Sequence, residues 1–485
     1  MTKFSISSPS FAHRLLNAFA GTALAFSFLY IYESYISVRW AYMGFPYREP
    51  RFWEMAYIAV AVSLVSFCLP RKVDRPYTLT LWFLYAIVFV PTLSISFFIS
   101  PDSQSLIAPL STLTVVFIAL SMSSGKELAA IDAPSSPYGR GLPSATFKYA
   151  MLGIWAVMAA VLLYYYRDII SFAGIDDIYY QRAVWKDSGG GLISYVETYF
   201  AAVVCPALIA IGLFKGNKLY IIPSLMGFMI TYATSAQKSA LVMPAIILLV
   251  FLSHRYRLAS SLSYTSALAG LVVLCAAFLW MFGSGNYAID LIVVRTLAAP
   301  AQTFSQYHTL FSEAGYTWWS NVRGIGLIVP APDAFAADPN WPRLGYIVGD
   351  YLHGGYTSEM NANANLFSGE GVAAAGSFGV VVIAIALALW LRTMDIIARG
   401  WNSRYVILIM TPIAFTLTNG HLSTILLSFG GALWMVLLYT MKPVAHRRSS
   451  SRASGSGAMS AVRPRPVYPA SQAWVPGPTP EEQSR

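Results

Sequence analysis

Apolar runs long enough to cross a bilayer recur along this chain and leave room for little else. A membrane-spanning helix needs roughly 20 apolar residues. Runs of that kind fall at 15–38, 53–69, 77–99, 104–124, 149–166, 196–214, 219–236, 239–253, 263–283, 372–391, 405–419 and 422–441. The pair at 219–253 is the shortest, and Ser235, Ala236, Gln237 and Lys238 make a polar turn within it. That pair either spans fully or is re-entrant. Only 11% of the 485 residues are charged, against about 25% in soluble proteins. A soluble globule, a disordered chain and a nucleic-acid module are thereby excluded. Cys68, Cys205 and Cys275 all lie in apolar runs and have no metal-ligand spacing. The predicted fold is all-α integral membrane, with about twelve transmembrane helices by that length rule and two long outer loops.

Lys and Arg in the connections set the orientation. With a cytoplasmic N-terminus, 22 of the 32 basic residues fall inside. Arg39, Arg48 and Arg51 run against this trend. Arg14, followed by an apolar stretch and Ala18, Phe19 and Ala20, resembles a secretory signal. The apolar run continues to Ile36, so it reads as an uncleaved first span. Residues 1–441 form one polytopic domain. Residues 442–485, rich in Ser, Pro, Gly and Arg, read as a disordered basic cytoplasmic tail beside anionic headgroups.

Two outer connections are long, 167–195 and 285–371, and loops of that length are usually functional. Within the second, Ile289, Ile292, Val293, Leu297 and Phe304 are spaced for an amphipathic helix over 287–311, lying on the membrane surface. The part after Pro330 carries Pro332, Pro339 and Pro342 and reads as irregular. Within the runs, Glu33, Glu197 and Lys238 stand out as ionisable residues. Ion-coupled transporters place such groups at mid-membrane, so the scarcity argues for chemistry at the outer face.

Arg182, Lys186, Lys238, Arg295, Arg323 and Arg343 fall on that side. Arginine binds phosphate oxygens bidentately. These residues either bind a lipid-linked pyrophosphate, pair with loop carboxylates, or snorkel to headgroups. Interleaved aromatics, among them Trp185, Trp318, Trp319 and Tyr356, either pack on sugar rings or form an interfacial belt. Candidate acid/base groups are His308, His353, Asp350, Glu359 and Glu370, with His353 first and Glu370 second. Asp176 and Asp177 are adjacent carboxylates with no third ligand in view, so no metal site and no cofactor is expected.

Several stretches resemble a family. Asp176 to Arg182 is similar to the first arginine-bearing loop of bacterial O-antigen and exopolysaccharide polymerases of the Wzy type. The stretch from Thr234 to Val242 resembles that family's Ser-Arg/Lys helix start, and Arg295 opens a helix as a family arginine does. Asn361, Asn363 and Asn365, running through Glu370 to Gly379, look like its entry to the helix after the large loop. Arg343 and Gly354 fit an Arg-x10-Gly pattern, whereas Arg182 has Ile193 where the glycine would stand. The resemblance implies a GT-C-like architecture in a bacterial inner membrane. It implies inverting transfer of a glycan from undecaprenyl pyrophosphate to a hydroxyl of the next lipid-linked repeat unit. Arg182, Lys238, Arg295 and Arg343 would hold the pyrophosphate, and one base would take the acceptor proton. A flippase and a chain-length co-polymerase are the implied partners. An O-antigen ligase and a lipid-linked oligosaccharide flippase are the rival readings.

Overall fold

The computed structural model describes residues 11–70, 72–100, 102–125, 141–171, 185, 191–256, 293–352 and 360–441. Among them every regular element is helical. This follows from the solvent: in hydrocarbon a backbone must satisfy its own hydrogen bonds, and a helix does so within one segment. Among the described residues, eight helices are long and apolar enough to cross a membrane. They are α1 (Phe11–Met43), α3 (Pro76–Ile99), α4 (Ile107–Ser124), α5 (Ala145–Tyr165), α6 (Leu192–Lys215), α8 (Lys238–Arg255), α12 (Ser368–Ile397) and the Leu422–Thr440 stretch. Two shorter apolar helices, α2 (Phe52–Cys68) and α13 (Ser403–Thr416), stand beside them. Both members of the 219–253 pair are full helices, α7 (Lys218–Ser235) and α8. The run at 263–283, Cys275 and the tail lie outside the described residues.

Polar contacts between helix ends sort into two groups. At one end the His254 Nε2 lies 2.7 Å from the Val73 carbonyl, and Arg75 Nη2 donates to the Ser124 carbonyl at 2.7 Å. There the Asn402 amide also donates to the Gly141 carbonyl at 2.8 Å. At the other end Arg48 Nη2 donates to Glu54 at 2.7 Å and to the Phe97 carbonyl at 2.6 Å. Arg48, which ran against the charge trend, is neutralised by a fully buried Glu54.

The apolar runs break their own regularity in informative places. Five π-helical turns occur among the described residues, at Tyr32–Ile36, Tyr85–Phe89, Phe200–Val204, Val294–Ala298 and Ser368–Val372. Such turns re-aim side chains and are frequent at functional sites. One holds Arg295, one holds Glu370, and a third begins three residues after Glu197.

The long connection differs from its sequence reading. The expected surface helix exists as Val294–Ala298 running into α9 (Ala299–Ala314). It packs inside the bundle rather than on lipid, for Ala301, Phe304, Tyr307 and Phe311 are all fully buried. Its Gln302 amide donates to the Met43 carbonyl at 2.8 Å, tying it to the end of α1. The proline-rich part carries two short helices, α10 (Asp333–Ala336) and α11 (Leu344–Leu352), where an irregular chain was expected. Proline at 332 pre-sets the turn into α10, since its ring fixes φ at a helix-compatible value. The connection also ends earlier than residue 371. Residues 366–374 are helical, and every residue from 364 to 376 is buried.

That buried arm is the first half of a broken helix. Within α12 the backbone leaves helical geometry at Ala375 and at Gly376, which has φ 58°. A side chain at 376 would be strained there, and its Cβ would lie 2.8 Å from the Tyr316 hydroxyl. The break strands carbonyls that a continuous helix would satisfy. The Thr317 and Trp318 amides reach in from the long connection and take them, donating to Ala373 and Ala374 at 2.9 and 3.0 Å. The two arms then fold against each other so closely that a Cβ on Gly379 would lie 2.0 Å from the Gly371 carbonyl oxygen. Small residues at such contacts let helices approach where no hydrophobic drive exists between them. A second interruption splits the last stretch into α14 (Leu422–Leu427) and α15 (Gly431–Thr440), with Gly430 left-handed between them.

Candidate functional site

Two buried carboxylates organise the end of the bundle to which the long connection belongs. Glu197 already stood out in the sequence as an ionisable residue within an apolar run. The structure adds Glu54, Glu370, Asp395 and Lys148, all buried, like Glu197, within apolar helices. A charge there is costly unless it is hydrogen-bonded or paired, so each needs its surroundings explained.

Glu370 lies on the buried arm of α12, not in a loop. Its Oε1 accepts from the Ser423 amide at 2.9 Å and from the Ser423 hydroxyl in a short hydrogen bond. The carboxylate thus caps α14 from another helix, satisfying an amide that α14 leaves unpaired. His421 stands just before α14, with its ring against the backbone of Gly369. A Cβ at 369 would lie 2.3 Å from the His421 Nε2. Burial pushes the imidazole below its ordinary value, and the Glu370 charge opposes that shift. Asn365 anchors the arm, since its amide donates to Thr92 at 2.9 Å and to the Pro300 carbonyl at 3.2 Å. Its own carbonyl oxygen takes the Phe367 amide at 3.1 Å.

Glu197 lies one turn into α6 and is 2% exposed. The Trp185 indole N–H donates to its Oε2 at 2.9 Å, and the Thr234 hydroxyl donates to Oε1 at 3.4 Å. Beside it opens a cleft of about 60 Å³ between α6, α7, α8 and α13. The polar wall of the cleft is Glu197, Thr198, Thr231, Gln237, Ser239 and Thr416. Its apolar wall includes Ala201, Phe228, Ala240, Met243, Pro412 and Phe429. Lys238 opens α8 between two of these lining residues.

The other candidates are spread along the same connection. Arg295 is exposed on its π-turn. Arg343 is exposed, with its guanidinium 5.8 Å over the Tyr346 ring. Trp318 is 53% exposed, whereas Trp319 packs against the core, and both have positive φ, 48° and 61°. Asp350 accepts from the Asn340 amide at 2.6 Å. His308, half-buried on α9, is lowered by burial, with the Ser105 carbonyl and the Asp102 charge opposing. Arg182, Lys186, His353, Tyr356, Glu359, Asp176 and Asp177 lie outside the described residues. No cluster of three or more His, Cys, Asp or Glu suited to a metal occurs among the described residues.

The structure therefore sets Trp185 on Glu197, which lines the cleft, with Lys238 next in sequence to the lining residues Gln237 and Ser239. It places Glu370 with His421 and Ser423, which sequence reasoning did not single out. The segment from Pro412 to Phe429 is a wall common to both groups. A signal for His421 existed: it is one of six histidines, and it follows an apolar helix in the polar run Thr418, Asn419, Gly420. Compared with known proteins, the chain matches no family model, no curated protein and no solved structure.

Proposed function

We propose that the chain is an inverting, lipid-pyrophosphate-dependent glycosyltransferase that polymerises undecaprenyl-pyrophosphate-linked repeat units at the outer face of a bacterial inner membrane. In this reading both termini are cytoplasmic, the basic connections lie inside, and Arg182, Lys238, Arg295 and Arg343 hold the pyrophosphate. Trp185, Trp318, Trp319 and Tyr356 contact the glycan, though Trp185 also positions Glu197.

The observation that carries the reading is the way the long connection is built into the bundle. It packs its helix α9 among the spans, and its Thr317 and Trp318 amides complete a broken helix. Catalytic groups need such rigid support, because small displacements cost large factors in rate. Cations at this end can stabilise the charge that develops on a departing pyrophosphate without a metal ion.

Incubating the purified protein in lipid nanodiscs with the lipid-linked repeat unit extracted from the producing strain tests this. A ladder of polymer, formed with chelator present, is the expected product. Transfer only to a lipid A core would make it a ligase. A second reading draws on the two interrupted helices that meet at Glu370, an arrangement transporters use for substrate sites. Movement of the lipid-linked unit across a vesicle bilayer without polymer would favour that reading.

A further inference from the structure

We propose that the cleft beside Glu197 is the acceptor subsite and that Glu197 is the base that takes the proton of the acceptor hydroxyl. The inference rests on the polymerase reading.

Both carboxylates are buried, but only one has room in front of it. Oε1 of Glu370 already takes two donors from Ser423. Glu197 accepts from Trp185 at 2.9 Å and from Thr234 at 3.4 Å, and the Ser235 hydroxyl is a third donor. A carboxylate has about four lone-pair sites, so it retains acceptor capacity on the side where it lines the cleft. The volume open to water-sized groups there is about 60 Å³, room for a few waters at about 15 Å³ each, or for the hydroxyl-bearing edge of a sugar ring.

The lining selects the class of ligand. Hydroxyl and amide groups of Thr198, Thr231, Gln237 and Ser239 suit a polyhydroxylated ring, and Phe228 and Phe429 offer apolar faces for its C–H side. A phosphate at Glu197 itself is opposed by like charge. Lys238 begins α8 at the cleft's lip, where the pyrophosphate of a donor would be drawn. The cleft runs along α8 from Gln237 to Met243, about 9 Å at 1.5 Å per residue. It thus leads toward the exposed apolar side chains Leu241, Val242 and Leu248, a path that suits a substrate with a polar head and an apolar tail.

In the step, a Glu197 oxygen removes the proton from an acceptor sugar hydroxyl. The acceptor oxygen then attacks the donor anomeric carbon, and the bond from that carbon to the pyrophosphate oxygen breaks. The electron pair leaves with undecaprenyl pyrophosphate, and the proton passes from Glu197 to water.

The test uses the full chain in nanodiscs and the extracted lipid-linked repeat unit as probe. Glu197→Gln keeps the acceptor for Trp185 and is expected to cut turnover by about 10²–10⁴, with KM little changed. Ser239→Trp, at an exposed position on the lip, is expected to raise KM with turnover retained. Wild-type turnover in Glu197→Gln would overturn the assignment. An independent arm places Ser239→Cys in a chain whose three native cysteines are alanine. The repeat unit is expected to slow maleimide labelling at 239. Protection without polymer from the wild type would keep the cleft as a glycolipid site and sink the polymerase reading. Polymer without protection would sink the cleft.

Discussion

Glu197 and Glu370 are alike in depth, burial and helical setting, yet their neighbourhoods differ. Glu370 is enclosed: Ser423 donates twice, His421 closes one side, and the Gly369 backbone leaves no space. Glu197 is held by Trp185, Thr234 and Ser235 but faces a cleft. The contrast separates a carboxylate that joins helices from one that can meet a substrate. Burial alone does not distinguish the two. Unfilled acceptor capacity beside open volume does.

The largest effect that would sharpen this contrast lies on the Glu197 side. Lys238→Ala and Arg295→Ala are each expected to lower polymer formation by about 10²–10³, the usual loss for one preorganised charge donor, with thermal unfolding unmoved. Wild-type polymer from either variant in the nanodisc assay removes that residue from the site.

On the Glu370 side the loss should be in stability. Glu370→Ala strands the Ser423 amide and hydroxyl in a dry site, at about 1–3 kcal/mol for each group left unsatisfied. Melting of the detergent-solubilised protein is the measurement, and an unchanged midpoint would erase the distinction between the carboxylates. A smaller loss, about 1–3 kcal/mol, is expected for Gly369→Ala, since the added Cβ must displace the His421 ring. Gly191→Ala, where a Cβ meets nothing within 4 Å but φ is 61°, provides a control with backbone strain alone.

The smallest effect is a pH dependence. The folded state holds His421 and His308 below the ordinary histidine value of 6.5. The unfolded chain therefore binds protons first as pH falls through 6.5, and stability present above that value is lost toward acid. His421→Gln should flatten the slope in part, and His308→Gln should remove a further share. Melting that rises between pH 7.5 and 5.5 would contradict the sign.

The sequence made the membrane fold legible because spanning runs are long and need no partner to be recognised. The positions of α3, α4, α6 and α8 follow from apolar length alone. The break in α12 was hidden, since Ala375 and Gly376 are as apolar as their neighbours and only the backbone reveals the interruption. For the same reason Glu370 read as a loop residue. Glu197 was visible as an ionisable residue in a span, but its cleft is assembled from α6, α7, α8 and α13. No local pattern encodes that meeting. The helix over 287–311 was read correctly as amphipathic where it is described, yet its apolar face found protein rather than lipid. Periodicity gives a face and not its partner.

The splice between the long connection and the broken helix is made by main-chain atoms alone. Thr317 and Trp318 contribute amides, and Ala373 and Ala374 contribute carbonyls. Such a joint is indifferent to which side chains stand there but sensitive to spacing. Across the lineages of this protein, residue identity at these four positions is free to drift as far as packing allows. Insertions or deletions between the amide pair and residue 319, or between the carbonyl pair and Gly376, would put the joint out of step. The seam should therefore show in related chains as a fixed count of residues rather than a fixed motif.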